Sequence, residues 1–274
     1  MTTPAWSWTW DETLYAGSAP HYVVGRVPYP PALADAVRDE LHLDGAGRLL
    51  DVGCGPGSLT TVLAPLFEAA VGVDADPGMI ELARSRAPGI EWRRLRAEEL
   101  PADLGTFRVL TFAQSFHWMD QQAVARAARG MLEPGGAWVH IGANTHQGVP
   151  PTGPLPFPRP PWDEIDALVR AYLGAKRRAG RGTLPDEGRS GEEDVMRAEG
   201  WAGPRRRFVP LGVAERTADE VVSAVYSLSG STPHLLGARL EEFDADLRRL
   251  LLAASPDGRF AEQLRDIEIV VWRP

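Results

Sequence analysis

Apolar positions in the first half of the chain follow two alternating periods. Arg48 to Val52, Ala70 to Val73, Ile90 to Leu95, Phe107 to Ala113 and Ala137 to Ile141 are short apolar runs of strand length. Segments with helical spacing separate them. Pro31 to Leu43 opens on proline and sets Leu33, Val37 and Leu41 four residues apart, so one face is apolar. Ser58 to Phe67 forms a second such segment, and a third opens at Pro77 with Asp76 as its N-cap. Asp120 caps a fourth, which runs to Leu132, and Glu133-Pro-Gly-Gly136 reads as the turn into the fifth strand. Strands alternating with helices over about 100 residues predict a doubly wound parallel sheet with right-handed crossovers.

The alternation stops after Ile141. Seven prolines between Val149 and Pro161 predict a stiff extended connector. Trp162 to Leu173 is an amphipathic helix with Ile165, Leu168, Val169 and Tyr172 on one face. Lys176 to Gly191 is polar and glycine-rich and reads as a mobile stretch. Arg205 to Val213 alternates like a sixth strand, and Thr217 to Tyr226 is a helix whose Thr217 and Glu220 form a capping box. Gly237 to Leu252 is helical, and Ile267 to Trp272 is a last strand. The pattern therefore predicts an α/β fold: a Rossmann-like, doubly wound, mostly parallel seven-stranded sheet. A helical lid is inserted after strand five and between the last two strands. Residues 1–30 are expected to cover the cofactor and substrate, and 31–274 to form the domain, with lid insertions near 144–204 and 214–262.

Composition narrows the function without naming it. Hydrophobic residues make up 44% and charged residues 24% of 274, as in soluble globular proteins. A net charge of −8 provides no general basic field for nucleic acid, so nucleic acid is not an expected partner. The single cysteine, Cys54, excludes an intrachain disulfide and a cysteine-based metal site, and no metal is expected. No apolar run approaches membrane-spanning length and no basic-then-apolar leader opens the chain, so a cytoplasmic protein without a membrane partner is expected.

The chemistry concentrates in Asp51-Val-Gly53-Cys54-Gly55-Pro-Gly57 and in Asp74 at the end of the next strand. Glycines at alternate positions let backbone approach a ligand closely, and an acid one βαβ unit later can hold two ribose hydroxyls. A dinucleotide site would want G-x-G-x-x-G and a helix N-terminus open to pyrophosphate. Here the spacing is G-x-G-x-G, and Asp51 beside the loop would repel pyrophosphate while suiting an ammonium. S-adenosylmethionine (SAM) has an ammonium, a sulfonium, a ribose and no phosphate. The pattern resembles motif I of the class I SAM-dependent methyltransferases.

The resemblance extends over residues 15 to 141 and is closest to the group containing trans-aconitate methyltransferase. Tyr22-Val-Val-Gly-Arg26-Val-Pro-Tyr29-Pro30 is similar to that group's opening Y-x-x-x-R-P-x-Y-P, with Val27 in place of a proline. The resemblance implies that Arg26 pairs with the SAM carboxylate and that Tyr22 covers the methionine moiety. It implies that Asp51 reaches the ammonium, directly or through water, that Gly53, Cys54 and Gly55 lend backbone, and that Asp74 takes the ribose. Ala75 and Asp76 follow Asp74, Met79 would lie on the adenine, and backbone at Ala97 and Glu98 would read the adenine edge. Ala113-Gln114-Ser115-Phe116-His117-Trp118-Met119-Asp120 resembles a family string whose start, Ala113 and Gln114, touches the methionine end of SAM.

For His117, three roles stay open: a general base on the acceptor, a residue of the cofactor's surroundings, or a structural residue that hydrogen-bonds backbone while Trp118 packs under the helix from Asp120. The expected reaction is methyl transfer to a small-molecule acceptor at O, N or C, leaving S-adenosyl-L-homocysteine. Candidate acceptor-wall residues are Trp10, Trp118, His146, Tyr226 and His234. The tryptophans at 6, 8 and 10 are expected to fold over the site. Two alternatives share the fold: a SAM-binding enzyme of a non-methylating step, and a noncatalytic SAM-binding partner. Oligomeric state and acceptor identity are left open by the residues.

Overall fold

The computed structural model describes residues 11–176, 178–179, 182–183 and 191–274. Its first half runs α1 (Ala19–Gly25), α2 (Pro31–Leu41), β1 (Arg48–Val52), α3 (Ser58–Leu63), β2 (Ala69–Asp74), α4 (Pro77–Arg86), β3 (Glu91–Arg94), β4 (Phe107–Ala113), α5 (Gln121–Arg129) and β5 (Leu132–Gly142). There follow α6 (Trp162–Leu173), the antiparallel pair β6 (Arg178–Ala179) and β7 (Gly182–Thr183), α7 (Glu192–Ala198), β8 (Ala202–Val209) and β9 (Val213–Thr217). The chain ends with α8 (Ala218–Tyr226), α9 (Pro233–Leu236), α10 (Leu240–Ala254), β10 (Arg259–Gln263) and β11 (Ile267–Arg273).

One seven-stranded sheet has the order β3-β2-β1-β4-β5-β11-β8. The first five strands are parallel, and β11 runs antiparallel to both β5 and β8. The expected mostly parallel seven-stranded sheet is therefore present. After β1 the chain winds to one side through β2 and β3, then crosses to β4 and β5 on the other. The ends of β1 and β4 thus flank a crevice at the carboxyl edge, where open α/β sheets take ligands.

Each sheet face carries its own core. Leu33 and Val37 of α2 and Leu59 and Leu63 of α3 cover one face with Leu49, Val109 and Val139. On the other, Val124 and Ala128 of α5 and Met196 of α7 pack on Phe112, Trp138 and Trp272. Phe112 and Trp138 stack at 3.7 Å between ring centroids. A third core lies outside the sheet: Ile165 of α6, Val221 and Val225 of α8 and Phe243 and Leu247 of α10. Beside it stands a separate two-stranded sheet of β9 and β10.

Differences from the sequence pattern have local causes. The helix from Ser58 ends at Leu63 and tightens into a 3₁₀ turn over Ala64–Leu66, because Pro65 has no N–H to continue the ladder. The sixth strand stops at Val209, before Pro210, and Val213 already belongs to β9 in the other sheet. Glu133 to Gly136, read as a turn, forms the irregular start of β5, with Gly135 at φ +80° and a register shift opposite Phe107 to Val109. Helix α7 falls within 144–204 but lies on the sheet against α5, since Met196 is buried in the sheet's own core. Of the polar stretch 176 to 191, most lies outside the described residues. Among the described residues, no helix is long and apolar enough to cross a membrane.

Candidate active site

The loop after β1 begins the site. The N–H groups of Gly53 and Cys54 both donate to the Val73 carbonyl of β2, at 2.8 and 3.0 Å, which turns the chain sharply across the sheet edge. The three glycines serve different ends. A Cβ on Gly53 would sit 2.4 Å from Ser115 Cβ, and one on Gly57 would sit 2.4 Å from the Trp92 ring. Gly55, at φ +54°, has nothing within 4 Å of a Cβ and faces open space, and with Gly53 it lines a cleft. Close approach to a ligand fits Gly53 and Gly55, and packing against Trp92 fits Gly57.

Asp74 stands at the floor of that cleft. Its Oδ2 accepts the Gly55 N–H and its Oδ1 the Asp76 N–H, both at 2.8 Å. Each carboxylate oxygen keeps a second lone pair, so the group can still accept two hydroxyl donors. Burial pushes its pKa up to about 6 against the opposing pull of these two N–H groups. Ala75, Met79, Ala97 and Glu98 line the cleft on the side of β2 and β3, and Tyr22, Ala113 and Gln114 line the opposite side. An open glycine, a carboxylate with spare acceptor capacity and an apolar wall at Met79 fit an adenosine-bearing cofactor.

Several expected cofactor residues lie behind this wall. Asp51 is buried, and its two oxygens accept Thr60 Oγ1 at 2.6 Å and Thr111 Oγ1 at 2.8 Å. Burial raises its pKa to about 6, although both hydroxyls pull it down. Asp51 thus ties β1 to α3 and β4 instead of facing the cleft. Cys54 packs with Ile80 and Trp92, and burial pushes its thiol up. Asp76 is the N-cap of α4, accepting the Met79 N–H at 3.0 Å. Sequence reasoning missed Tyr15, Leu95, Arg96, Ser115 and Met119, which also line the cleft. Ser115 and Met119 sit in the string already singled out; Tyr15 lies in no motif, and only the chain's path brings it here.

A second cavity of about 670 Å³ adjoins the cleft. Tyr15, Tyr22, Gln114 and Trp118 line both, so these four residues stand where the two meet. Gln114 holds φ +54°, a conformation rare outside glycine, asparagine and aspartate. The string after β4 thus turns abruptly at the junction, and such outliers gather where function needs a fixed geometry. Arg26, Asn144, His146 and Ser229 give the larger cavity a polar side. Arg26 donates to Ser227 Oγ at 2.8 Å and to the Ser227 carbonyl at 3.1 Å, and its Nη1 lies 3.2 Å from His146 Nδ1. Its guanidinium also covers the Tyr22 ring at 4.5 Å. Arg26 therefore borders the larger cavity and meets the cofactor cleft only through Tyr22.

His117 lines the larger cavity and a smaller one of about 270 Å³ beside it, and not the cofactor cleft. His140 borders the smaller cavity, and burial lowers its pKa to about 3, so it is neutral. Of the expected acceptor-wall residues, Trp118 and His146 line the larger cavity. Tyr226 does not: it is buried in the lid core and donates to Asp244 Oδ1 at 3.1 Å. Nor does His234, whose Nδ1 lies 3.1 Å from the Ala16 carbonyl and 2.9 Å from Thr232 Oγ1. Trp10, like Trp6 and Trp8, lies outside the described residues.

A buried ion pair fastens the lid to this cavity. Arg216 of β9 donates to Glu262 Oε2 of β10 at 3.2 Å, to the Gly25 carbonyl at 2.5 Å, to the His146 carbonyl at 2.8 Å and to the Glu220 carbonyl at 3.0 Å. Glu262 Oε1 accepts the Gly148 N–H at 2.8 Å and Trp162 Nε1 at 2.6 Å. Burial pulls the Arg216 guanidinium below its ordinary range, and the Glu262 charge opposes that pull. One pair thereby holds the segments that carry Arg26 and His146. Among the described residues no cluster of His, Cys, Asp and Glu is placed to hold a metal ion.

Comparison with known proteins agrees with this architecture. Residues 49–136 match the family model described as a methyltransferase domain. An uncharacterized methyltransferase of Mycobacterium tuberculosis is 38% identical over 128 residues, which are 46% of this chain and 51% of that protein. A ubiquinone biosynthesis O-methyltransferase of Xanthomonas oryzae is 34% identical over 39% of this chain and 46% of its own length. The chain thus spans about half the length of the curated relatives it matches. The crystal structure of the YcgJ protein of Bacillus subtilis has the same fold, with a TM-score of 0.50 at 16% identity over 88% of this chain and 97% of that one. The match from Leu49 to Gly136 takes in the glycine loop and runs from β1 into the start of β5, so this part of the chain is similar to a methyltransferase domain.

Proposed function

We propose that this protein transfers the methyl group of SAM to a small-molecule acceptor held in the cavity of about 670 Å³. The observation that carries the reading is the shared wall of Tyr15, Tyr22, Gln114 and Trp118 between the cofactor cleft and that cavity. When bound, SAM supplies a methyl group already activated by a positive sulfur. The residues of this chain then have to hold, orient and dry the reacting pair. Asp74 and the backbone of the glycine loop would bind the ribose, with Met79 against the adenine. Tyr22, its ring covered by the Arg26 guanidinium, would border the methionine end. The cavity volume falls in the usual range for small-molecule sites.

His117 borders the acceptor side, which supports the base role over the cofactor-shell role. Its imidazole would take the proton that a phenol, amine or enol gives up. A carboxylate acceptor would need no such base. Incubation with labelled SAM and a panel of phenols, amines and carboxylic acids tests the reading, with product masses locating the methyl group. SAM binding without methylation of any of the panel would count against it. His117→Ala is expected to slow the chemical step by roughly 10²–10⁴-fold on an acceptor of high pKa, and less as that pKa falls.

A further inference from the structure

Gln114, His117, Gly142 and Glu268 line both the larger cavity and the smaller one of about 270 Å³, so the two meet at these residues. Gly142 ends β5 there, opposite Glu268 of β11. Its φ is not positive, and a Cβ would make only ordinary contacts, the nearest being Glu268 Cβ at 3.5 Å. A glycine at a strand end that neither conformation nor close packing requires leaves room for a ligand. Beyond it the smaller cavity is more polar than apolar, the reverse of the larger one. His140, two residues before Gly142 and so on the same face of the sheet, borders it. The ring is held among Phe112, Phe116 and Trp138, and burial keeps it neutral. Its Nε2 is buried with no hydrogen-bond partner among the described residues. Its Nδ1 lies 3.9 Å from Glu192 Oε2, beyond hydrogen-bond reach. That carboxylate favours the tautomer with its hydrogen on Nδ1. Glu192 is steadied by Gln121, whose Nε2 donates to Oε1 at 3.3 Å. Other charges of the wall serve one another, since Arg206 donates to both Glu193 and Glu268.

We infer that the acceptor carries a hydroxyl group, remote from its methylated atom, that passes over Gly142 and sits between His140 Nδ1 and Glu192 Oε2. This rests on the reading of the larger cavity as the acceptor site. A hydroxyl both accepts and donates, so its oxygen takes the Nδ1 hydrogen and gives its own to the carboxylate. An oxygen about 2.8 Å from each atom fits over a gap of 3.9 Å. An ammonium has no lone pair for the Nδ1–H, and a second carboxylate would be repelled by Glu192, so neither suits the gap.

The test uses the full chain loaded with S-adenosylhomocysteine. Calorimetry compares phenols, anilines and benzoates in pairs that differ in the 4-substituent: hydroxymethyl with methyl, 2-hydroxyethyl with ethyl, and 3-hydroxypropyl with propyl. In at least one series, at one arm length, the hydroxyl member is expected to bind about tenfold more tightly, as a hydrogen bond to a charged group should give. His140→Phe keeps the ring packing and removes both nitrogens, so it should abolish that preference while leaving S-adenosylhomocysteine affinity unchanged. Gly142→Val puts a side chain where the cavities meet and should do the same, and it covers the case in which the phenylalanine variant does not fold. No hydroxyl preference in any pair, or a preference that persists in a folded variant, overturns the inference while the methyltransferase reading stands. Failure of the unaltered protein to bind S-adenosylhomocysteine overturns both.

Discussion

Arg216→Met is the most informative single change. Arg216 is 4% exposed and Glu262 fully buried, so the substitution leaves a carboxylate in the interior with only the Gly148 and Trp162 N–H donors. It also strips a donor from the carbonyls of Gly25, His146 and Glu220. Removing one partner of a buried pair costs about 3–5 kcal/mol. For a chain of this size that corresponds to a loss of melting temperature on the order of 10 °C. Arg126→Ala is the control, because Arg126 pairs with Glu199 at the surface, where such bridges are worth about 1 kcal/mol or less. The double variant Arg216→Met with Glu262→Gln should recover much of the loss, since the buried charge disappears while a carbonyl still accepts from Trp162. Thermal melts of the parent, these three variants and Glu262→Gln alone decide the matter. An Arg216→Met shift no larger than that of Arg126→Ala, or a double variant as unstable as the sum of its parts, would refute the clamp. Calorimetry should also show SAM affinity reduced far less than stability wherever Arg216→Met is folded, because most of the cleft is lined from the strand ends and Arg216 reaches it only through the helix of Tyr22.

Asp74 sets an expected pH dependence. Its pKa near 6 in the free protein means that the ionised form, which accepts two ribose hydroxyls, is complete only above that pH. SAM affinity measured by calorimetry should be flat above pH 7 and fall by up to about tenfold per unit below pH 6, and Asp74→Asn should flatten the curve at low affinity. The same raised pKa favours the free fold below the ordinary carboxylate value of 3.8, and that contribution is lost as pH rises through 6. S-adenosylhomocysteine should therefore raise the melting temperature more at pH 7.5 than at pH 5. The glycines should separate cleanly: Gly53→Ala, which drives a Cβ into Ser115, should damage folding. Gly55→Ala should cost only about 1–2 kcal/mol of backbone strain yet block the cofactor. Thr217→Ala removes the cap of α8 and should cost about 1 kcal/mol in denaturant melts without altering SAM affinity.

Local chemistry was readable along the chain because it acts over a few residues. The apolar runs marked β1 and β4 to the residue, Asp76 and Asp120 announced the starts of α4 and α5, and Thr217 with Glu220 announced α8. Alternation of strand and helix was enough to give a parallel sheet, since only right-handed crossovers pack helices back onto both faces. Residues of the cleft that sit within a few residues of a strand end, such as Gly55, Asp74 and Gln114, were legible for the same reason. The larger cavity beside it was not. Tyr15 reaches the junction, and Tyr226 and His234 are turned away from it, through packing between segments far apart in sequence. Neither periodicity nor spacing records such packing. Arg216 and Glu262 lie 46 residues apart in strands with no motif, and a charged pair becomes a clamp only once folding has removed the water around it. Strand ends are fixed by the chain's own local pattern; the lid, the junction and the cavity beyond them exist only where distant segments close on one another.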